Sequence, residues 1–245
     1  TWRFAGDMVE AVPGPKDREP VLRPIAAVWR TRGCELSPEQ RAAANQVAWR
    51  KTLFDMAGQV LAGQKPDVPN ALEPAWYFFP AEGDATFTML TVQLDKGLDP
   101  STKLVALLKK EDSEDTAYGF GTSDVPFEVR PANGGFVAQS ARKLPPGRYG
   151  FALGQVTDAG VVTPLVAGEQ VVARLPKDSL RLTSVILARE LKALGKDETK
   201  APFKAYGFDI LPNPTRAYRG GDPMTMFFVV LGATADPQGK VDLKV

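Results

Sequence analysis

The chain has 245 residues with 30 basic and 29 acidic side chains, and 44% of its residues are hydrophobic. That is the composition of an ordinary soluble globular protein. Its charges are scattered rather than gathered into a stripe, which argues against nucleic-acid binding. It contains no histidine and one cysteine, Cys34, so Ser-His and Cys-His nucleophile pairs, histidine metal sites, thiolate clusters and an internal disulfide are all excluded.

Residues 1–72 read as an N-terminal arm followed by one helix. The arm is rich in proline and charge (Val12-Pro-Gly-Pro-Lys-Asp-Arg-Glu-Pro20), with Trp2, Phe4, Val28 and Trp29 as anchors. Cys34 sits just ahead of the helix and has no histidine to activate it, so an inert thiol is expected. The chain starts at Thr1 with no signal-peptide pattern, which reads as a processed chain or an excised piece. The helix is expected over about 38–62. Ser37 offers an N-cap, Pro38 takes the favoured first position, Gln40 completes a capping box, and Gly63 closes the end. Ala43, Val47, Phe54, Ala57 and Leu61 form its apolar stripe, with Trp49 and Leu53 beside it. This face packs on the chain's own sheet or on another subunit.

After a proline-bearing linker, residues 73–176 read as an immunoglobulin-like β-sandwich. The aromatic run Trp76-Tyr77-Phe78-Phe79 opens it. Period-two alternation buries two of these rings in the core and leaves the others at an edge, although four successive aromatics could also form a platform for a glycan or a partner. Strands follow over 85–94, 104–108, 116–120, 125–129, 135–140, 149–156 and 169–175. The apolar run Leu104 to Leu108 suits a central strand covered on both faces. Leu144-Pro-Pro-Gly-Arg-Tyr-Gly-Phe151 carries the architectural signal. Tyr149, just past the turn, is placed to send its hydroxyl to an upstream backbone group, and Phe151 enters the core where antibody domains have cysteine.

Residues 177–245 read as a second β-sandwich, either whole or incomplete. Its strands are expected over 180–188, 206–211, 224–231 and 240–245, with 189–200 as a charged loop or short helix. The whole is thus mainly β: tandem immunoglobulin-like sandwiches preceded by an arm and one helix. No apolar run approaches the roughly 20 residues that span a bilayer.

Several motifs fail on inspection. Gly232 to Lys240 has the wrong glycine spacing for a phosphate loop and is interrupted by Pro237; Gly119-Phe-Gly121 and Gly134-Gly135 precede no helix; Asn213-Pro-Thr has proline in the glycosylation position. The acidic turn Glu111-Asp-Ser-Glu-Asp115 is a candidate calcium site but lacks the EF-hand pattern, so no metal or cofactor is expected. Glu82 with Asp84, or Glu111 with Asp115, could supply paired-carboxylate glycosidase chemistry, but no apolar surroundings to tune a pKa are evident.

The order Leu-x-Pro-Gly-x-Tyr149, Asp158 with its glycine turn, Leu180-Arg-Leu-Thr-Ser-Val-Ile-Leu-Ala188, Pro212-Asn-Pro214, Tyr218-Arg-Gly-Gly-Asp222 and Gly239-Lys-Val-Asp-Leu-Lys-Val245 resembles a known pattern. It is similar to the C-terminal region of GWxTD-motif proteins, large secreted or envelope proteins of acidobacterial type. The resemblance covers residues 144–245, without the Gly-Trp-x-Thr-Asp motif itself. It implies an extracellular, periplasmic or cell-surface setting and a role in assembly, and transfers no catalytic residue. The expected function is therefore a noncatalytic structural or interaction subunit. Its contacts run to other subunits or to itself, through sheet edges near 76–80 and 224–245 and through the arm and helix, with Trp76, Tyr77, Phe78, Phe79, Trp49 and Phe54 as contact residues. A carbohydrate-binding module using Trp76, Tyr77 and Tyr118 is the alternative, and a carboxylate glycosidase the remote one.

Overall fold

A computed structural model describes residues 38–113, 117–132, 134–175, 180–194, 201–221 and 224–233. The expected arm, Cys34, the Ser37 cap, Glu114 and Asp115 of the acidic turn, and the strand expected over 240–245 lie outside the described residues. The chain is mainly β with one helix. In order, the elements are α1 (Pro38–Leu61), β1 (Ala75–Pro80), β2 (Thr86–Leu94), β3 (Thr102–Lys110), β4 (Ala117–Phe120), β5 (Glu128–Ala132), β6 (Gly135–Leu144), β7 (Gly147–Thr157) and β8 (Val162–Val172). Then come β9 (Arg181–Leu182), β10 (Ile186–Ala193), β11 (Lys204–Ala205), β12 (Phe208–Pro212), β13 (Thr225–Phe227) and β14 (Val230–Leu231).

The first eight strands form two antiparallel sheets, ordered β1-β2-β6-β5 and β4-β3-β7-β8. Lettered in chain order, these are the A-B-E-D and C′-C-F-G sheets of an immunoglobulin-type sandwich. Their facing sides close one core: Leu90, Val92 and Leu94 from β2, Leu104, Ala106 and Leu108 from β3, and Tyr149, Phe151 and Leu153 from β7. The Tyr149 hydroxyl donates to the carbonyl of Pro145 at 2.7 Å, forming the corner that fixes the turn into β7. Beside it, Trp76 packs edge-on against Phe151, with ring centroids 5.3 Å apart.

Helix α1 lies on the outer face of the second sheet. The buried stripe is Trp49, Leu53 and Ala57, packed on Val105, Leu107, Ala152 and Val156. Val47, expected on that stripe, is instead exposed, because the stripe is centred on residues spaced four apart from Trp49 and Val47 falls at its flank. The helix comes very close to β7: a Cβ at Gly150 would lie 2.0 Å from the Ala57 carbonyl oxygen. At its other end Asn45 donates to the Ala159 carbonyl at 2.5 Å, over a turn that Gly160 makes at a φ of 76°. Gly63 ends the helix at a φ of 73°. Its N–H bonds to Val60 and that of Gln64 to Gln59, the paired bonds of a Schellman cap.

The C-terminal strands, read from sequence as a second sandwich, lie against the first. They form a third sheet, β11-β12-β10-β13, and a two-stranded ladder, β14-β9. Their core closes on the outer face of the first sheet: Ile186, Ala188, Ala205, Ile210 and Phe227 meet Ala75, Tyr77, Phe79, Phe87 and Met89. Strands this short cannot supply two facing apolar layers of their own, so they borrow one. The expected strand over 180–188 is broken: Thr183 N–H bonds to Val229 and Ser184 N–H to Phe78, which separates β9 from β10. The stretch from 189, expected as loop or helix, continues β10 to Ala193, where pairing with β12 overrides its charged composition. Likewise β8 begins at Val162, seven residues ahead of the expected 169.

Two substitutions report on this packing. Tyr149→Phe leaves the Pro145 carbonyl without its donor and is expected to cost about 1 kcal/mol in urea unfolding. Gly150→Ala drives a methyl group into the helix backbone and is expected to cost about 1–3 kcal/mol, read from the same unfolding curves.

Candidate interaction surface

The residues singled out from sequence as contact residues are largely spent inside the molecule. Strand β1 alternates as its sequence dictates. Trp76 and Phe78 turn into the sandwich core, while Tyr77 and Phe79 turn the other way into the core under the third sheet. Phe79 there meets Tyr206 at 5.8 Å and Phe227 at 6.2 Å between ring centroids. None of the four is an exposed residue, so they form no open aromatic platform. Tyr118 stacks edge-on with Tyr149 at 5.7 Å and lies beneath the Arg142 guanidinium. Trp49 is buried under α1, with Lys103 Nζ 5.7 Å from its ring centre. Phe54 is partly buried at the flank of the same helix, with Lys109 Nζ at 5.2 Å.

The edge of β1 expected to pair with another molecule is occupied at its centre. The Phe78 N–H donates to Ser184 Oγ at 2.9 Å, and the Phe78 carbonyl accepts from the Ser184 N–H at 3.3 Å. An edge of the second sheet, β8, is met by the Ala71 N–H, which donates to the Leu165 carbonyl at 2.9 Å.

The carboxylates considered for hydrolysis are engaged at the surface. Glu82 faces Lys143 at 3.6 Å, Asp84 pairs with Arg174, and Glu111 bonds Arg148 at 2.6 Å. Among the described residues no three histidine, cysteine or acidic side chains group closely enough to hold a metal ion. No described helix is long and apolar enough to cross a membrane.

The structure instead exposes an apolar surface at the other expected edge. Leu180, Leu182 and Val185 are exposed to 72%, 56% and 45%, and Met224 and Met226 to 58% and 53%. These five lie on or beside β9, β10 and β13, and among the described residues β13 is an edge strand of the third sheet. The pairing Leu187 with Met226 and Leu182 with Val230 places them on adjoining ladders. In sequence the alternation of Leu180 and Leu182 with Arg181 and Thr183 resembled a core strand. The break at 183–184 turns Leu180 and Leu182 outward while Ile186 and Ala188 stay buried, and no local signal marked that break. Large apolar side chains left exposed along these ladders are suited to burial against another surface, with β13 offering main-chain groups among them.

Comparison of the chain with models of protein families gives no match, and neither does comparison with curated proteins.

Burial raises the phenols of Tyr77 and Tyr206, each to about 12, with Tyr218 adding to the shift and Arg216 opposing it at Tyr77. A phenol whose folded pKa exceeds its unfolded value of about 10 stabilises the fold below pH 10 and loses that contribution as pH rises towards 12. Burial also raises the Tyr149 phenol, so ultraviolet titration is expected to show three tyrosines ionising late. Urea midpoints should fall between pH 10 and 12, and less steeply in Tyr77→Phe.

Proposed function

We propose that the chain is a noncatalytic structural and interaction subunit of an extracellular or cell-envelope assembly. One observation carries the reading: the exposed apolar side chains Leu180, Leu182, Val185, Met224 and Met226 along the ladders of β9 and the edge strand β13. The elements around them point the same way. The described aromatics of β1 and the helix face are used to bind the layers to one another, leaving these side chains to be covered from outside. The resemblance of residues 144–245 to GWxTD-motif proteins supports the extracellular or envelope setting. The partner is another copy of the chain or another subunit of the assembly, joined by apolar burial and by main-chain pairing along β13.

The test uses sedimentation and hydrogen exchange on the purified chain. Association that grows with concentration is expected, together with slowed amide exchange over 180–185 and 224–227. The exposed double substitution Leu182→Glu with Met226→Glu should abolish both while leaving the thermal unfolding midpoint within a few degrees. Sedimentation as a monomer at every concentration, with unchanged exchange at these amides and no effect of the substitutions, would count against this surface as an interface.

A further inference from the structure

On a different face, α1 covers β7, β3 and β8 of the second sheet but leaves a trough beside β4. Its floor is Leu107, Ala117 and Gly119, its wall Val47 and Phe54 of the helix, and its volume about 930 Å³. The charged groups lining it are Arg50, Lys51, Asp55, Asp124 and Arg142. Lys51 Nζ is 2.5 Å from Asp55, and the Asp124 carboxylate accepts a 2.7 Å bond from Thr122 Oγ1, which together with the nearby Arg142 and Arg50 charges holds its pKa down.

Arg142 is different. Its guanidinium reaches across from β6, with its carbon 5.4 Å and 6.0 Å from the Tyr118 and Phe120 ring centres, and donates from Nη1 to the Gly119 carbonyl at 2.5 Å. Its Nε is buried and has no hydrogen-bond partner. Unlike Arg130, Arg148 and Arg174, it forms no ion pair among the described residues. A guanidinium carries five donors and cannot shed its charge. Asp124 lies near enough to act on its charge but forms no direct ion pair with it, so a partly desolvated guanidinium keeps donors for a further carboxylate.

We propose that this trough binds an extended acidic peptide segment of a partner protein. A glutamate or aspartate carboxylate pairs with Arg142, and the neighbouring apolar side chains rest on Leu107 and against Val47 and Phe54. The charge balance favours an acidic ligand, since Arg50, Lys51 and Arg142 outnumber Asp55 and Asp124 in the lining. The form of the site favours a peptide: an open trough, alongside the outermost strand of the sheet, accepts side chains alternating with period two. The site is separate from the β9 and β13 surface and does not depend on it.

The test is a nuclear magnetic resonance titration of the full chain with acetyl-Val-Glu-Val-Glu-Val-amide, its lysine counterpart acetyl-Val-Lys-Val-Lys-Val-amide, and hexanoate. The glutamate peptide is expected to shift the Arg142 Nε–H resonance and the amides of 117–124 saturably, the lysine peptide to leave them in place, and hexanoate to bind at least about tenfold more weakly. Val47→Glu, on an exposed helix position, should weaken the glutamate peptide about tenfold without altering the fold, and Arg142→Gln should weaken it by as much or more. No saturable shift with the glutamate peptide, equal shifts with the lysine peptide, or hexanoate binding as tightly as the peptide would overturn the proposal.

Discussion

The structure depends on both outer faces of the central sandwich being covered. In an ordinary antiparallel sandwich each sheet keeps one face wet, and its strands alternate apolar with polar. Here β2 is buried along nearly its whole length and β3 through its middle. Even-numbered residues of β2 fill the sandwich core while Phe87 and Met89 point outward; Val105 and Leu107 do the same for β3. Left bare, those outward faces would each present a sizeable apolar patch to water. The helix on one side and the third sheet on the other are therefore part of the same folding problem, and the molecule is a stack of four layers.

The two covers are attached by different means. Beneath α1 the sheet presents Gly150 and Ala152, and the helix backbone settles almost onto the strand, so dispersion and apolar burial dominate. The third sheet combines an aromatic core with a polar seam. Gln139 is buried yet satisfied at both ends, donating to Thr91 Oγ1 at 2.7 Å and accepting from the Phe203 N–H at 2.5 Å. Arg130 stacks 4.3 Å over the Phe203 ring and reaches Glu128 and Asp209 at once. Arg189 bonds Asn213, which in turn holds the loop through the Ala217 carbonyl. Buried polar groups of this kind add little net stability, but a mismatched docking would leave them unpaired, so they fix the register of the third sheet on the first.

The same economy governs the sheet edges. Ser184 meets β1, Ala71 meets β8, and Arg142 caps a carbonyl of β4. A long basic side chain laid on an edge strand discourages indiscriminate pairing. At β4 the same guanidinium lines the trough proposed to take an acidic peptide, so protection of the edge and recognition of an acid draw on one group. The third sheet ends instead on β13 with methionine and leucine side chains around it, which makes its surroundings apolar where those of β4 are charged.

Local sequence signals sufficed wherever the determining interaction is short in range. The helix bounds followed from Pro38 and Gly63, the sandwich strands from alternation and turns, and the β7 corner from Leu144 to Phe151, because capping, pleat and a hydroxyl bond to a residue four back are all written within a few positions. The two sides of Trp76 to Phe79 were equally legible as alternation. Their coverings were not, since the residues that bury Tyr77 and Phe79 come from beyond residue 185. The chain could not announce that its C-terminal strands would dock on the first sheet, nor that the run from Leu180 would break at Thr183 and turn its leucines to solvent. Whether an apolar side chain is core or contact surface is settled by what lies across from it, and for this protein only the stacking of distant layers decided that.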